Sequence, residues 1–157
     1  MRILIQRVSR AEVRVDQQVT GRIGYGILEL IGIAQADSRK DADYLADKLI
    51  HLRIFSDAAG KMNLSAMDTG AGLLLVSQFT LYGDCRKGRR PAFDAAARQD
   101  YARELYDYFV ERVRQSGLVT QTGVFQAHME VELVNDGPVT LLLESSLVKS
   151  PDTAPVY

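Results

Sequence analysis

The sequence has 157 residues, of which 46% are hydrophobic, and its formal net charge is −1. This length is sufficient for one compact domain with a sizeable core and is too short for two domains of ordinary size. A net charge near zero excludes a surface that is basic overall, although a local basic patch remains compatible with it. No apolar run approaches the roughly 20 residues of a membrane span. The first residues also lack the apolar core of a signal peptide, so we expect a cytoplasmic protein.

The cysteine and histidine content predicts a protein without a metal or another cofactor. Cys85 is the only cysteine and has no partner for an internal disulfide. His51 and His128 do not combine with it in a spacing that would build a zinc or iron site. We therefore expect a reducing compartment and metal-free chemistry.

The first half of the chain alternates between strand-like runs and one helix. Ile3–Val8 and Ala11–Val15 are short and rich in β-branched residues, which predicts two strands. Ile27–Ala34 is nearly all apolar and predicts a strand that is covered on both faces. Ser38 followed by Asp41 is typical of a helix N-terminus, and apolar residues recur after it at helical spacing.

The second half predicts a strand, a longer helix and two further strands. Leu73–Phe79 is an apolar strand, and residues 101–117 carry an apolar stripe that ends near a glycine able to cap a helix. Met129–Leu133 alternates between apolar and acidic residues, and Val139–Leu143 is β-rich. Asn135–Pro138 lies between these two runs and has the composition of a turn.

Together these elements predict a single layered α/β domain with substantial antiparallel pairing. The domain is expected over residues 1–145. The remaining segment, 146–157, has two prolines and little apolar periodicity. We predict that this C-terminal tail is flexible or is docked on a neighbour.

The first segment with chemical potential lies where the predicted strand Leu73–Phe79 opens into a loop. It comprises Ser77, Gln78, Phe79 and Thr80. Strand ends of this kind often carry reactive groups, because the scaffold fixes the backbone while one side stays open to a ligand. Hydroxyl, amide and backbone N–H groups here could face a developing oxyanion. An ordinary polar strand end is the alternative reading.

The second segment is the Gly137–Pro138 dipeptide in the predicted turn. The trans preference of an X–Pro bond is only about 0.5–1 kcal/mol, so its surroundings can select the cis form. A plain trans turn joining two strands is the commoner arrangement.

A short basic run follows the first segment. It consists of Arg86, Lys87, Arg89 and Arg90 around Gly88. Such a run can bind the phosphates of a nucleic acid, or it can be a solvated loop, and charge alone does not decide between them.

A nucleophile–histidine triad is not predicted. Ser77, Thr80, His51 and His128 supply suitable residue types, but none lies in a Gly-x-Ser-x-Gly context. Both histidines are expected to be structural or surface groups.

Two motifs carry a family resemblance. Residues 77–81, Ser-Gln-Phe-Thr-Leu, and residues 135–140, Asn-Asp-Gly-Pro-Val-Thr, resemble the two signature motifs of the D-aminoacyl-tRNA deacylase family. Supporting similarity in Ile5–Val8, Arg53–Phe55 and Gly60–Leu64 extends the resemblance from the start of the chain to about Leu143.

The resemblance implies a three-layer β/β/α sandwich with largely antiparallel sheets that works as a homodimer. Gly137 and Pro138 would form a cis motif that enters the partner's active site and clashes with an L side chain. A D-amino acid or glycine esterified to tRNA would be accepted, because the filter works by rejection. Arg7 resembles the arginine that braces this motif.

The resemblance also implies a mechanism that needs little from side chains. Ser77, Gln78, Phe79 and Thr80 would form the catalytic segment, with backbone donors and the 2′-hydroxyl of the terminal tRNA adenosine assisting a water. Thr80 as a covalent nucleophile is the alternative within the family. The basic run would contact the tRNA. Two other classes of function stay open, a non-catalytic nucleic-acid-binding module and a general esterase.

Overall fold

The computed structural model describes residues 1–145, and the predicted tail 146–157 lies outside this part of the chain. The described residues form eight strands, three α-helices and one 3₁₀ helix. The strands are β1 (Arg2–Val15), β2 (Gln18–Ile23), β3 (Gly26–Gly32), β4 (Phe55–Ser56), β5 (Met62–Leu64), β6 (Gly72–Ser77), β7 (Thr120–Thr122) and β8 (Glu130–Glu144). The helices are α1 (Arg39–His51), α2 (Ala66–Thr69) and α3 (Gln99–Arg114), and the 3₁₀ helix spans Phe79–Tyr82.

Strand β1 organises the sheet. Its first half pairs antiparallel with β3, its second half pairs antiparallel with β2, and β8 runs antiparallel along its other side. The prediction of two separate strands, Ile3–Val8 and Ala11–Val15, is therefore wrong. Pairing with β8 continues across the intervening residues, where shifts of register absorb the irregularity.

The sheet is mixed, and two apolar layers cover its two faces. The strand order is β2-β1-β3-β6-β7, with β8 on the other side of β1, and β3, β6 and β7 are mutually parallel. A large core that includes Phe55 and Phe109 lies between the sheet and the helices α1 and α3. A smaller core on the opposite face joins Val13, Leu28 and Leu74 to the partly buried Leu133 of β8. This arrangement confirms the predicted three-layer β/β/α fold.

Both long helices have the predicted end signals. At the start of α1, the Asp41 carboxylate accepts a hydrogen bond of 2.8 Å from the backbone N–H of Ser38. After α3, Gly117 has a φ of +80°, the left-handed conformation expected of a helix-terminating glycine. Among the described residues, no helix is long and apolar enough to cross a membrane.

The predicted turn at Asn135–Pro138 is instead a bulge inside the continuous strand β8. Gln6 pairs with Thr140 and Val8 pairs with Asn135, so residues 136–139 together face the single residue Arg7. The Gly137–Pro138 peptide is cis. The sequence Asn-Asp-Gly-Pro looks like a strand end, but β1 pairs with β8 on both sides of it.

Candidate active site

The segment 77–80 leaves the sheet at the end of β6. Ser77 pairs with Ile31 of β3, and the backbone N–H of Gln78 donates a hydrogen bond of 2.7 Å to the Ile31 carbonyl. The chain then turns into the 3₁₀ helix, which packs against the end of β3. A Cβ atom on Gly32 would lie 3.0 Å from Leu81 Cβ and 3.2 Å from the Gln78 carbonyl oxygen, so this close approach requires glycine.

Arg2 fixes the 3₁₀ helix to the sheet. Its Nη1 donates a hydrogen bond of 3.1 Å to the Leu81 carbonyl, and its Nε pairs with Glu144 of β8 at 2.6 Å. The guanidinium also lies 4.7 Å from the ring centroid of Tyr82. The predicted catalytic segment is thus attached to two strands of the sheet.

A cavity of about 410 Å³ opens beside this segment, and Ser77, Gln78 and Phe79 line it. The opposite wall comes from α3 and from the chain between β7 and β8, and includes Phe125 and His128. Most of the remaining lining is apolar, which suits a site that excludes water around a few polar groups. The predicted segment therefore forms one wall of a real concavity.

Thr80 differs from its three neighbours because it does not line the cavity. Its hydroxyl oxygen accepts a short hydrogen bond from the Gln78 side-chain amide. The hydroxyl is thus held within the segment itself.

The two histidines occupy different places. His51 lies in the last turn of α1, where its Nδ1 is 3.0 Å from the Asp47 carbonyl oxygen. His128 lines the cavity, a position that no motif in the sequence predicted. Within residues 1–145, no hydrogen bond joins His128 to Ser77 or Thr80, so the described structure contains no nucleophile–histidine pair of these residues.

The Gly137–Pro138 bulge is held from two sides. Arg7 is only 8% exposed, and its Nε donates to the Asp136 carbonyl at 3.2 Å and pairs with the Asp136 carboxylate at 2.8 Å. Its Nη1 donates to the Ile54 carbonyl. The Asn135 side-chain amide donates to the Arg7 carbonyl at 2.9 Å and to the Val139 carbonyl at 3.1 Å.

Within one chain, this bulge and the cavity are far apart. Ser77 lies beside Ile31, which lies beside Ile3, whereas Arg7 and the bulge are four residues farther along β1. On the strand that carries the bulge, Val131 of β8 also lines the cavity, and Gly137 lies six residues farther along β8. Neither Gly137 nor Pro138 lines the cavity.

The basic run lies in the exposed loop that follows the 3₁₀ helix, and its members are not equivalent. Backbone hydrogen bonds between Asp84 and Ala92, of 2.7 and 3.0 Å, close the loop. Arg86 forms two side-chain hydrogen bonds with the Asp84 carboxylate, at 2.9 and 2.7 Å, and this guanidinium lowers the pKa of Asp84 to about 2. The other cations of this loop, Lys87, Arg89 and Arg90, are exposed and form no ion pair with any of residues 1–145.

Comparison with known proteins identifies the family of this fold and site. The family model described as D-Tyr-tRNA(Tyr) deacylase matches residues 4–144. A D-aminoacyl-tRNA deacylase of Koribacter versatilis is 59% identical over 145 residues, covering 92% of this chain and 97% of the relative. One from Geotalea uraniireducens is 55% identical and covers 98% of this chain and 99% of the relative.

Solved structures agree with the fold. A structure described as "c-Myc DNA Unwinding Element Binding Protein" is 39% identical, with a TM-score of 0.86 and coverage of 92% of this chain and 98% of its own. A probable eukaryotic D-amino acid tRNA deacylase has a TM-score of 0.81 at 18% identity, covers 91% of this chain and 98% of its own, and supports the fold alone. From the matched model and the identity over nearly its whole length, the chain belongs to the family of D-aminoacyl-tRNA deacylases, which are ester hydrolases.

Proposed function

We propose that this protein is a cytoplasmic editing hydrolase that cleaves the ester of D-aminoacyl-tRNA and of glycyl-tRNA and rejects L-aminoacyl-tRNA. The observation that carries the proposal is the segment of Ser77, Gln78 and Phe79 at a strand end, facing a mostly apolar cavity of about 410 Å³. A cavity of this size suits a small group such as the aminoacylated end of a tRNA.

The reaction needs positioning more than side-chain chemistry. Water adds to the ester carbonyl, the bond from that carbon to the ribose oxygen breaks, and the departing oxygen takes up a proton to leave a free 3′-hydroxyl. The backbone N–H of Gln78 is used by the Ile31 carbonyl, so the next N–H, that of Phe79, supplies the donor for the oxyanion. The neighbouring 2′-hydroxyl assists the water. The Thr80 hydroxyl is hydrogen-bonded to Gln78 and does not line the cavity. This supports attack by water over covalent catalysis by Thr80.

A second copy of the chain supplies the chirality filter. Gly137 and Pro138 do not line the cavity of their own chain, and they lie six and seven residues along β8 from Val131, which does. In a symmetric dimer the motif of each chain can reach the cavity of the other. Its carbonyl groups would then crowd the Cα of the substrate, so that an L side chain clashes while hydrogen or a D side chain does not.

The outer edge of β8 supports this dimer. Within the described residues, β8 pairs only with β1, and Leu141 and Leu142 on it are 42% and 52% exposed. An unpaired apolar edge of this kind is normally covered by another chain. The same strand carries the Gly137–Pro138 bulge, so pairing there would bring the bulge to the interface.

The test is hydrolysis of matched D- and L-tyrosyl-tRNA and glycyl-tRNA by the purified protein, followed as release of radiolabelled amino acid. We expect rapid release from the D and glycyl esters and release from the L ester at the uncatalysed rate. Equal release from the D and L esters would contradict the filter, and no release from any of them would contradict the activity.

A non-catalytic nucleic-acid-binding module is the second candidate, because a relative at 39% identity is described as a DNA unwinding element binding protein. That function would need the exposed basic loop, and replacing Gly137 or Pro138 would not change the affinity for nucleic acid. A Gly137→Val variant therefore discriminates. If it abolishes D-specific hydrolysis and leaves nucleic-acid affinity intact, the editing function is favoured.

A further inference from the structure

Asn135 occupies a special position beside the Gly137–Pro138 bulge. It is the last residue of β8 paired in register with β1 before the bulge, and its Nδ2 donates to the carbonyls of Arg7 and Val139, at 2.9 and 3.1 Å. One amide group thus joins both ends of the bulge to each other and to β1.

The orientation of this amide is chemically determined. Both partners are backbone carbonyl oxygens, which can only accept, so the amide nitrogen has to face them. Aspartate has the same shape, but one of its carboxylate oxygens would face the two carbonyl oxygens, which also only accept. Its carboxylate would also lie beside that of Asp136. Alanine would leave both carbonyls without this donor.

The oxygen of the same amide faces the glycine of the motif. A Cβ atom on Gly137 would lie 3.3 Å from Asn135 Oδ1, which is tighter than an ordinary contact. A side chain at position 137 would therefore press on the amide that closes the bulge. Asn135 thus constrains both the backbone path of the motif and the identity of its first residue.

We propose that Asn135 is a positioning residue for chiral selection, holding Gly137 and Pro138 where they discriminate between D and L substrates. Arg7 fixes the Asp136 side of the bulge, and Asn135 fixes its two ends. The inference rests on the proposed function, since it concerns how accurately the filter is placed. A filter that works by steric rejection tolerates little displacement, because contact repulsion falls off steeply as two atoms move apart.

The test compares Asn135→Ala and Asn135→Asp with Gln6→Ala. Gln6 is a matched control, because its side-chain amide also joins β1 to β8, by a bond of 3.1 Å to Thr140, but does not touch the bulge. For each protein, kcat/KM on D- and L-tyrosyl-tRNA is measured together with the melting temperature. We expect the D-to-L ratio to fall about tenfold or more in both Asn135 variants and to be unchanged in Gln6→Ala, because the loss of two hydrogen bonds corresponds to a factor of about thirty at most if all of it is felt by the filter.

A stability role alone would lower the melting temperature and leave the D-to-L ratio within about twofold of wild type, and this result would overturn the proposal. Amide hydrogen exchange gives a readout that does not depend on activity. Exchange at Gly137 and Val139 should accelerate in Asn135→Ala and not in Gln6→Ala. If the wild-type protein showed no D-specific hydrolysis, the proposed function would fail, whereas unchanged exchange at the bulge would separately show that Asn135 does not position it.

Discussion

At the scale of single residues, the chemistry available to two side chains cannot be read from their residue type alone. Thr80 carries a hydroxyl at the end of the segment 77–80, yet that hydroxyl accepts a hydrogen bond from the Gln78 side chain. Arg86 belongs to the basic run, yet Asp84 already pairs with it. In both cases the partner of the side chain decides which chemistry is available.

Replacing Thr80 by valine tests whether a protein nucleophile is needed. Valine keeps the shape of threonine and removes the hydroxyl, so a water-based reaction should retain activity within about tenfold of wild type. The measurement is single-turnover hydrolysis of D-tyrosyl-tRNA. A variant that folds and binds tRNA but has lost all hydrolysis would instead support covalent catalysis by Thr80.

Neutralising Arg89 and Arg90 together should weaken tRNA binding. If each contacts a phosphate, the slope of log affinity against log salt should become less steep by about 1.8, at about 0.9 per contact. The matched control is Asp84→Asn with Arg86→Gln, which removes a mutually paired cation and anion and keeps the net charge. Identical salt slopes for wild type and Arg89→Gln/Arg90→Gln would mean that this loop is only solvated.

At the scale of elements, β3 carries an unusual group. Glu29 lies in its middle, is 0% exposed, and neither of its carboxylate oxygens has a hydrogen-bond partner among the described residues. Burial raises the pKa of Glu29 well above its ordinary value of 4.5. The predicted strand Ile27–Ala34 is correct, but its one acidic residue is inside the core and not at a wet face.

The raised pKa of Glu29 makes stability depend on pH in a defined direction. The folded state keeps the proton that the unfolded chain releases above about pH 4.5, so this group favours folding at low pH and that advantage declines as pH rises towards its folded pKa. The decline is at most about 1.4 kcal/mol per pH unit. Glu29→Met should flatten the unfolding free energy between pH 5 and 8, measured in urea, and stabilise the protein at the upper end. Parallel pH profiles for the two proteins would contradict this assignment.

The sequence predicted the elements with strong local signals and missed those defined by their neighbours. Helices α1 and α3 and strand β3 follow from periodicity and end signals, whereas the short helix α2 was not predicted. Strands β1 and β8 were divided because exposed residues and Asn-Asp-Gly-Pro resemble strand ends. Strand β7 has three residues and is recognisable only by its pairing with β6. Likewise, a motif in the sequence marked residues 77–79 as a candidate site. The part of the cavity wall at Phe125 and His128 comes from a segment far along the chain that carries no motif.

At the scale of the whole molecule, the segment 77–80 and the Gly137–Pro138 bulge lie at separate points of one chain. The segment follows β6 and lines the cavity, whereas the bulge lies on β8, six residues beyond Val131, and does not line it. Leu141 and Leu142 leave the edge of β8 apolar and exposed in a single chain. In the proposed function, each working site therefore combines the cavity of one chain with the Gly137–Pro138 motif of a second chain.

The most direct measurement is complementation between two variants, each of which lacks one half of the proposed site. Ala102→Trp fills the cavity that Ala102 lines, and Gly137→Val damages the filter, so each variant alone should fail to hydrolyse D-tyrosyl-tRNA selectively. After unfolding together and refolding, about half of the dimers should be mixed, and each mixed dimer has one intact cavity facing one intact motif. We expect recovery of about a quarter of wild-type D-specific activity, because one of two sites works in half of the dimers. No recovery, in mixtures shown by mass spectrometry to contain the mixed dimer, would contradict it.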